Sequence, residues 1–162
     1  MEERRHADAA DVCSWWGTLP VVWSIAGYGF VLNAVWEFAQ AGPLYDMWTE
    51  VGLWDGFFHI TLAILGDVLI VLGVTGVAAL CMGRRSVLCA TWNGCAAMLA
   101  AGLVTAIGLE WIARMLDWWT YNDLMPTLRV FGETVGLSPV AQITLLPALS
   151  VLLAARLHAL PQ

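Results

Sequence analysis

The sequence predicts an all-α fold, a polytopic membrane four-helix bundle that forms a single membrane domain over residues 1–162. Of the 162 residues, 60% are hydrophobic and only 12% are charged. A soluble domain of this size usually carries about 25% charged and about 45–50% apolar residues. The apolar residues also lie in four long runs with few charges rather than in amphipathic stripes, which is typical of membrane-spanning helices.

Each of the four runs is long enough to cross a bilayer, because about 20 helical residues span the roughly 30 Å of a hydrocarbon core. The predicted helices cover residues 19–38, 57–82, 87–116 and 138–157. A tight turn at residues 83–86 joins the second helix to the third, and the other connections are longer polar loops. Ser138 followed by Pro139 predicts the start of the last helix, since serine can cap free backbone donors and proline lacks one.

Small residues inside these runs predict places where two helices approach closely. They are Gly73, Gly76, Ala97, Ala101 and Gly102. Small side chains let two backbones come near enough for van der Waals contact, which helps to hold helices together in a membrane.

The basic residues predict the orientation of the chain. All seven are arginines, and five of them fall on one side of the predicted bundle: Arg4, Arg5, Arg84, Arg85 and Arg156. Cytoplasmic loops carry an excess of basic residues, so the N and C termini and the short turn are predicted to be cytoplasmic. Tryptophans gather at the opposite, outer boundary as an aromatic belt does: Trp36, Trp48, Trp54, Trp111, Trp118 and Trp119.

Most polar residues within the runs belong to the outer half of the predicted bundle. Asn33, Glu37 and Gln40 are spaced four and three residues apart, which places them on one face of the first helix. On the second helix, Asp67 follows His59 at a distance of about 12 Å along the axis. Asp67 is therefore predicted near the bilayer midplane, where an ionisable residue costs at least about 2.5–3.5 kcal/mol and is a functional candidate by default.

The grouping of acidic residues and a histidine from three helices predicts a buried site. We interpret four residues as candidate catalytic groups: Glu37, His59, Asp67 and Glu110. Carboxyl groups in a low-dielectric site can act as general acids near neutral pH, and histidine can act as a base. Five polar and aromatic residues are interpreted as substrate-binding: Asn33, Gln40, Trp118, Tyr121 and Gln142. Burying so many polar groups for packing alone would be costly, which favours a cavity capped by the outer loops.

Each of these residues also has a purely structural interpretation. Asp67 can fix a neighbouring helix by a hydrogen bond, or it can pair with His59. Glu110 can pair with Arg114, one turn further along the same helix. Amides commonly join helices inside bilayers, and tryptophans commonly anchor helices at the membrane interface.

No metal, cofactor or nucleic acid is predicted as a ligand. The four cysteines show no CxxC spacing, which argues against a zinc site. A mixed ligand set of His59, Asp67, Glu37 and Glu110 stays an alternative, although His59 and Asp67 are two helical turns apart. No phosphate-binding glycine loop, nucleophile elbow or cofactor fingerprint is present. A net charge of −6 without a basic stripe argues against a nucleic-acid partner.

The stretch from Asn33 to Pro147 resembles a family of small four-helix bacterial inner-membrane proteins of unknown function. The matching pieces are Trp36-Glu37 with Gln40, Pro43-Leu44-Tyr45, His59 with Gly66-Asp67, Glu110-Trp111, Trp118 with Tyr121 and Met125-Pro126, and Gly136-Leu137-Ser138-Pro139 with Gln142. This resemblance implies a multi-pass protein of the bacterial inner (cytoplasmic) membrane and brings no named activity. A second, much shorter stretch is similar to the helix that carries an acidic residue in membrane-bound terpene cyclases: Asn33-Ala34-Val35-Trp36-Glu37.

The leading functional hypothesis is an intramembrane acid–base enzyme, of isomerase, cyclase or hydrolase type, on a lipid-soluble or isoprenoid-like substrate. The competing hypothesis is a non-enzymatic accessory subunit or assembly factor of a larger membrane complex. A channel fits less well, because polar residues do not follow the full depth of the bundle. An enzyme predicts acidic groups that converge on one cavity, whereas a subunit predicts acidic groups that face outward. The predicted partners are membrane lipid, a hydrophobic small molecule and, for the second hypothesis, a membrane protein.

Overall fold

A computed structural model describes residues 19–45 and 52–159, and in these ranges four helices are long and apolar enough to cross a membrane. The helices are α1 (Leu19–Tyr45), α2 (Leu53–Met82), α3 (Arg84–Leu88), α4 (Trp92–Met115) and α5 (Leu137–Ala159). Two short strands, β1 (Thr127–Val130) and β2 (Glu133–Gly136), lie between α4 and α5. The prediction of four spanning helices is confirmed, and α3 is too short to be one of them. Arg4, Arg5 and Trp48, which carried part of the topology prediction, lie outside the described residues.

α1 ends at Tyr45, well beyond the predicted end at residue 38. The last turn of a helix leaves backbone carbonyls without partners, and Asn122 supplies two donors there. Its side-chain amide donates to the Pro43 carbonyl at 2.8 Å, and its backbone N–H donates to the Leu44 carbonyl at 3.2 Å. The loop before α5 therefore stabilises a longer α1 than the hydrophobic pattern predicts.

α2 begins at Leu53 rather than at the predicted residue 57. Gly52 has a φ of 84°, a left-handed conformation that glycine adopts without strain. Its carbonyl accepts a hydrogen bond from the Gly56 N–H at 2.9 Å. Asp55 lies in the first turn, where a carboxylate is favoured by the helix dipole. These polar features start a helix within a segment that the sequence pattern assigns to a loop.

The connection between α2 and α4 is longer than the predicted tight turn at residues 83–86. Gly83, with a φ of 83°, ends α2, and the short helix α3 follows. α4 begins after Thr91, whose hydroxyl accepts a hydrogen bond from the Gly94 N–H at 3.2 Å. The predicted helix over residues 87–116 is thus wrong at its start, because a threonine N-cap competes with continuation of the apolar run.

The second predicted polar loop contains an antiparallel hairpin formed by β1 and β2. Thr127 pairs with Gly136 at the open end, and Gly132 in the turn has a φ of 94° that suits glycine. β2 leads directly into α5. Ser138 lies in the first turn of α5, but its hydroxyl donates to Gln40 of α1. The predicted capping role of Ser138 is therefore replaced by a contact between helices.

The half of the bundle next to residues 83–91, which we call the turn half, is filled by apolar side chains. α1 packs against α2 and α5, and α4 also packs against α2 and α5. Their buried side chains form one cluster: Val21, Ile25, Val71, Ala78, Val87, Met98, Ala148, Val151 and Ala154. Lipid chains are as apolar as these residues, so close packing rather than escape from water holds the helices together.

Glycine and alanine determine how closely α4 approaches its neighbours. A Cβ atom on Gly102 would lie 2.6 Å from the Ile143 carbonyl oxygen of α5, so glycine is required at that crossing. Ala97 packs against the turn-half cluster. Gly73 and Gly76 have open space where a Cβ atom would lie. The predicted close contact is confirmed at Gly102 and is wrong at Gly73 and Gly76.

Candidate functional site

A cavity of about 360 Å³ lies in the other half of the bundle, next to the loop and hairpin that precede α5. We call this the cavity half. All four predicted catalytic residues line the cavity: Glu37 from α1, His59 and Asp67 from α2, and Glu110 from α4. Helix packing thus brings together groups that are far apart in the sequence. This is the arrangement expected of the enzyme hypothesis rather than of a subunit whose acidic residues face outward.

The five predicted substrate-binding residues divide into lining and supporting positions. Gln40, Trp118 and Gln142 line the cavity. Asn33 lies behind the wall and contacts Gln142, while Tyr121 contacts the lining residue Glu110. The latter two side chains are therefore placed to position other groups rather than to touch a ligand.

Three aromatic residues of the site were not assigned a role in it from the sequence. Tyr45 and Trp119 line the cavity, and Trp36 donates a hydrogen bond to the network beneath it. Tyr45 was missed because the predicted first helix stopped too early; a longer helix places it about two turns after Glu37. The remaining lining is apolar: Ala41, Ala63, Gly66, Ile70, Leu109, Pro139 and Ile143.

Gln142 of α5 is the centre of a buried hydrogen-bond network in the cavity wall. Its side-chain nitrogen lies 2.8 Å from a carboxyl oxygen of Glu37 and 2.8 Å from a carboxyl oxygen of Asp67. The same nitrogen lies 3.0 Å from the side-chain oxygen of Asn33. One amide thereby joins α1, α2 and α5. The partner of Asp67 is Gln142 rather than His59.

Trp36 sets the direction of the hydrogen bonds in this network. An indole N–H can only donate, and it donates to the Ser138 hydroxyl at 3.2 Å. That hydroxyl donates its single hydrogen to the Gln40 side-chain oxygen at 2.7 Å. The Gln40 nitrogen consequently donates to Glu37 Oε1 at 2.9 Å and to the Gln142 oxygen at 3.2 Å. The amide nitrogens of Gln40 and Gln142 therefore both point at Glu37 Oε1.

The side-chain nitrogen of Gln142 carries fewer hydrogens than there are oxygen atoms around it able to accept them. An amide nitrogen carries two hydrogens, but oxygens of Asn33, Glu37 and Asp67 all surround this one. The Glu37 and Asp67 carboxyl groups lie side by side against it, and two adjacent carboxylates in a low-dielectric site repel each other strongly. The geometry suits a carboxyl pair that shares one proton.

Glu110 is buried and joins the loop before α5 to α4. One of its carboxyl oxygens accepts the Gly136 backbone N–H at 2.7 Å and a short hydrogen bond from the Tyr121 hydroxyl. Tyr121 accepts in turn from the Trp119 indole at 3.0 Å. Burial, and then the bond to Glu110, raise the pKa of Tyr121, so its hydroxyl keeps its proton and donates it. The alternative partner Arg114 is exposed and does not form the predicted pair.

His59 lies at the exposed mouth of the cavity. Its Nδ1 atom is 2.7 Å from the Asp55 carbonyl oxygen, which can only accept, so Nδ1 carries the hydrogen. Nε2 is then the nitrogen that is able to take up a proton. In the part of the chain that the structure describes, no three His, Cys, Asp or Glu side chains are arranged to hold a metal ion. The alternative of a mixed metal-ligand set therefore has no geometric support there.

Part of the cavity lining is exposed on the surface of α2. Ala63 and Gly66 of α2 line the cavity and are also exposed, and a Cβ atom on Gly66 would meet no other atom. On α4, Leu109 is half-buried and the neighbouring Gly108 also has open space around it. Small residues thus leave an exposed apolar surface beside the cavity.

The arrangement as a whole is suited to proton transfer on an apolar molecule. A four-helix scaffold hosts many unrelated functions, so the chemistry has to be argued from these side chains. The likenesses to small four-helix inner-membrane proteins and to membrane-bound terpene cyclases stay predictions. Compared with protein-family models, with curated proteins and with solved structures, the chain matches none.

Proposed function

We propose that this chain is an intramembrane acid–base enzyme that acts on a lipid-soluble substrate. The observation that carries the proposal is the convergence of Glu37, His59, Asp67 and Glu110 on one cavity. Ionisable groups inside a membrane are expensive and mark functional sites by default. Four such groups around one open volume are better explained by a ligand than by helix packing.

The size and lining of the cavity support a small hydrophobic substrate. Its volume of about 360 Å³ falls within the roughly 300–1,000 Å³ of small-molecule sites, which are mostly apolar with a few convergent polar groups. The exposure of the lining residues Ala63 and Gly66 supports entry from the bilayer rather than from water. An isoprenoid-like chain fits both properties.

Asp67 and Glu37 take different roles in this proposal. Two amide nitrogens donate to Glu37 Oε1, so this oxygen acts as a hydrogen-bond acceptor. Asp67 shares only the Gln142 nitrogen, and so it holds the proton of the pair when no substrate is bound. In the reaction, Glu37 takes a proton from one atom of the substrate, and the pair returns a proton through Asp67 to another atom. His59 at the mouth exchanges protons with water, and Glu110 positions the loop.

The membrane and the orientation are part of the same proposal. The chain lies in a bacterial inner membrane with both termini in the cytoplasm, and the cavity half faces outward. The clustering of Arg84, Arg85 and Arg156 at one end of the bundle supports this orientation. Cys81 is a free, exposed thiol at the end of α2 near that side. A membrane-impermeant maleimide is expected to label it only after the cell membrane is opened; labelling of intact spheroplasts would reverse the orientation.

Isotope incorporation from solvent tests the reaction whatever the identity of the substrate. The purified protein is reconstituted with a bacterial membrane lipid extract in D2O, or in H2(18)O to detect hydrolysis, and the lipids are analysed by mass spectrometry. Proton transfer to carbon places solvent deuterium in the substrate. We expect a lipid-soluble component to gain isotope, and Asp67→Asn and Glu37→Gln to slow the gain by about 100-fold or more.

Glu133→Gln is the matched control, because Glu133 is an exposed carboxylate on the hairpin outside the cavity. It should incorporate isotope at the rate of the unmodified protein. Circular dichroism and gel filtration show whether the amide variants keep the fold. The enzyme proposal fails if the folded protein transfers no isotope to any component, or if Asp67→Asn works as fast as Glu133→Gln. Co-purification of a stoichiometric membrane protein would then favour the accessory-subunit hypothesis.

A further inference from the structure

The charged groups that line the cavity have one sign. Its titratable lining residues are three acids, one histidine and one tyrosine: Glu37, Asp67, Glu110, His59 and Tyr45. Among the described residues, no arginine lines the cavity, and the sequence contains no lysine. Phosphate and carboxylate groups are normally bound by such basic side chains. An anionic headgroup would therefore find no arginine or lysine to bind it in this site.

The backbone N–H groups where β2 meets α5 do not replace the missing basic side chains. The N-terminal end of α5 borders the cavity through Pro139. The Gly136 N–H is already bound by Glu110, and the Leu137 N–H donates to the Pro126 carbonyl at 2.8 Å. These two backbone donors are thus already bound within the protein.

Aromatic rings stand beside the acidic groups. Tyr45, Trp118 and Trp119 all line the cavity, and Trp118 and Trp119 adjoin each other with ring centroids 6.2 Å apart. The faces of tryptophan and tyrosine rings attract cations, most strongly where water is excluded. Carboxyl groups and aromatic rings in one apolar cavity together favour a positively charged ligand.

We propose that the cavity binds an amphiphile with a cationic polar end, a long-chain amine or quaternary ammonium, and that this cation displaces the proton shared by Glu37 and Asp67. The polar end lies against the carboxyl pair and the aromatic rings. The apolar tail lies along Ala63, Gly66 and Ile70 of α2. The inference deepens the proposed function by naming the substrate class of the same cavity.

Proton release follows from the groups that face the carboxyl pair from each element. α1 contributes Glu37 and Tyr45, and α2 contributes His59 and Asp67. α4 contributes Glu110, which accepts a hydrogen bond from Tyr121 of the loop. α5 faces the pair with the uncharged side chain of Gln142. A bound cation balances the second negative charge of the pair, so the shared proton leaves to water through the mouth at His59. By linkage, the cation then binds more tightly as the pH rises.

Three probes with the same decyl tail test the inference: decyltrimethylammonium, decanol and decyl phosphate. Their binding to the full chain in nanodiscs is measured by titration calorimetry in two buffers with different ionisation enthalpies, which reports the protons released. We expect the ammonium to bind about tenfold more tightly than decanol, with about one proton released per cation. Decyl phosphate should bind more weakly than both.

Glu37→Gln and Asp67→Asn should abolish proton release and the preference for the ammonium, while keeping the binding of decanol. Glu133→Gln should behave as the unmodified chain. Equal affinities for the ammonium and decanol, tight binding of decyl phosphate, or unchanged proton release in both amide variants would each overturn the inference. Cation binding with proton release but no isotope transfer from solvent would refute the enzyme proposal alone. Isotope transfer without a cation preference would refute this inference alone.

Discussion

The turn half and the cavity half of the bundle differ in how much of their buried contact is polar. In the turn half, nine apolar side chains from α1, α2, α3, α4 and α5 fill the space between the helices. In the cavity half, several buried side chains are polar, and a volume of about 360 Å³ is left open. The buried polar residues there are Asn33, Gln40, Glu110 and Gln142. The turn half is therefore sensitive to side-chain volume, and the cavity half is sensitive to hydrogen-bond donors and acceptors.

This difference shows how one small bundle can be stable and still hold an unusual group of carboxyls. Packing contacts need neighbouring atoms on all sides, so a well-packed region has no room for a ligand. Hydrogen bonds act at a few atoms and can hold helices apart around a cavity. Because the turn half stabilises the bundle by packing, the cavity half can keep polar groups whose burial is costly.

The largest effect should come from adding volume to the turn half. A Cβ atom on Gly94 would overlap the Ser86 backbone, whereas one on Gly108 of the same helix would meet open space. We expect Gly94→Ala to lower the free energy of unfolding by about 3 kcal/mol. Gly108→Ala should change it by less than about 1 kcal/mol, with helix propensity favouring alanine. Unfolding in mixed micelles measures both, and similar losses in the two variants would contradict the comparison.

A somewhat smaller effect should come from removing a donor in the cavity half. Gln142→Leu keeps most of the volume but leaves Glu37, Asp67 and Asn33 without a shared partner. We expect a loss of about 2 kcal/mol, the cost of buried polar groups left unpaired. Thr144→Val on the same helix is the control, because the Thr144 hydroxyl is buried and has no hydrogen-bond partner.

Thr144→Val should leave stability within about 1 kcal/mol of the unmodified protein or increase it, since no hydrogen bond is lost. The two variants are compared in the same unfolding titration. If Gln142→Leu were as stable as Thr144→Val, hydrogen bonds would not be what holds the cavity half together.

The smallest effect should come from the loop that covers the cavity half. Burial raises the pKa of Tyr121 above its ordinary value, so the folded state keeps this proton more tightly than the unfolded state. The stabilisation that Tyr121 gives the folded state is fully present below the ordinary tyrosine pKa of about 10. It is lost as the pH rises above that value. Tyr121→Phe should lower stability by about 1 kcal/mol at neutral pH and reduce the alkaline loss of stability.

Thermal unfolding followed from pH 7 to pH 11 measures this effect. Tyr28→Phe is the control, because Tyr28 packs against the turn-half cluster instead of bonding Glu110. It should keep the alkaline loss of stability. If Tyr121→Phe lost as much stability at alkaline pH as the unmodified protein, the hydrogen bond between Tyr121 and Glu110 would not be the cause of that loss.

Much of the scaffold could be predicted because the membrane requires it. Four apolar runs without frequent charges have few alternatives to spanning helices, and all four are present. Helix ends were less predictable. α1 continues through Pro43 to Tyr45 because Asn122, far along the chain, bonds the last carbonyls. No local pattern around residue 38 could reveal a cap that comes from another loop.

The candidate site was predictable in its residues but not in its connections. The cost of burying ionisable groups made Glu37, His59, Asp67 and Glu110 candidates, and all four line one cavity. The central position of Gln142 and the donor role of Trp36 depend on which helices are neighbours, and single-helix spacing does not contain that information. The pairing of Glu110 with Tyr121 rather than with Arg114 likewise depends on how the loop folds back.

The sequence by itself determined that this chain forms four helices long and apolar enough to cross a membrane, with costly polar groups among them, because hydropathy and burial cost are properties of each residue. Only the tertiary structure decided that three carboxyl groups and a histidine share one cavity. It also decided that one amide bonds two adjacent carboxyls. Those facts depend on the rotation and neighbours of each helix, which are set by packing at contacts such as Gly102 against Ile143.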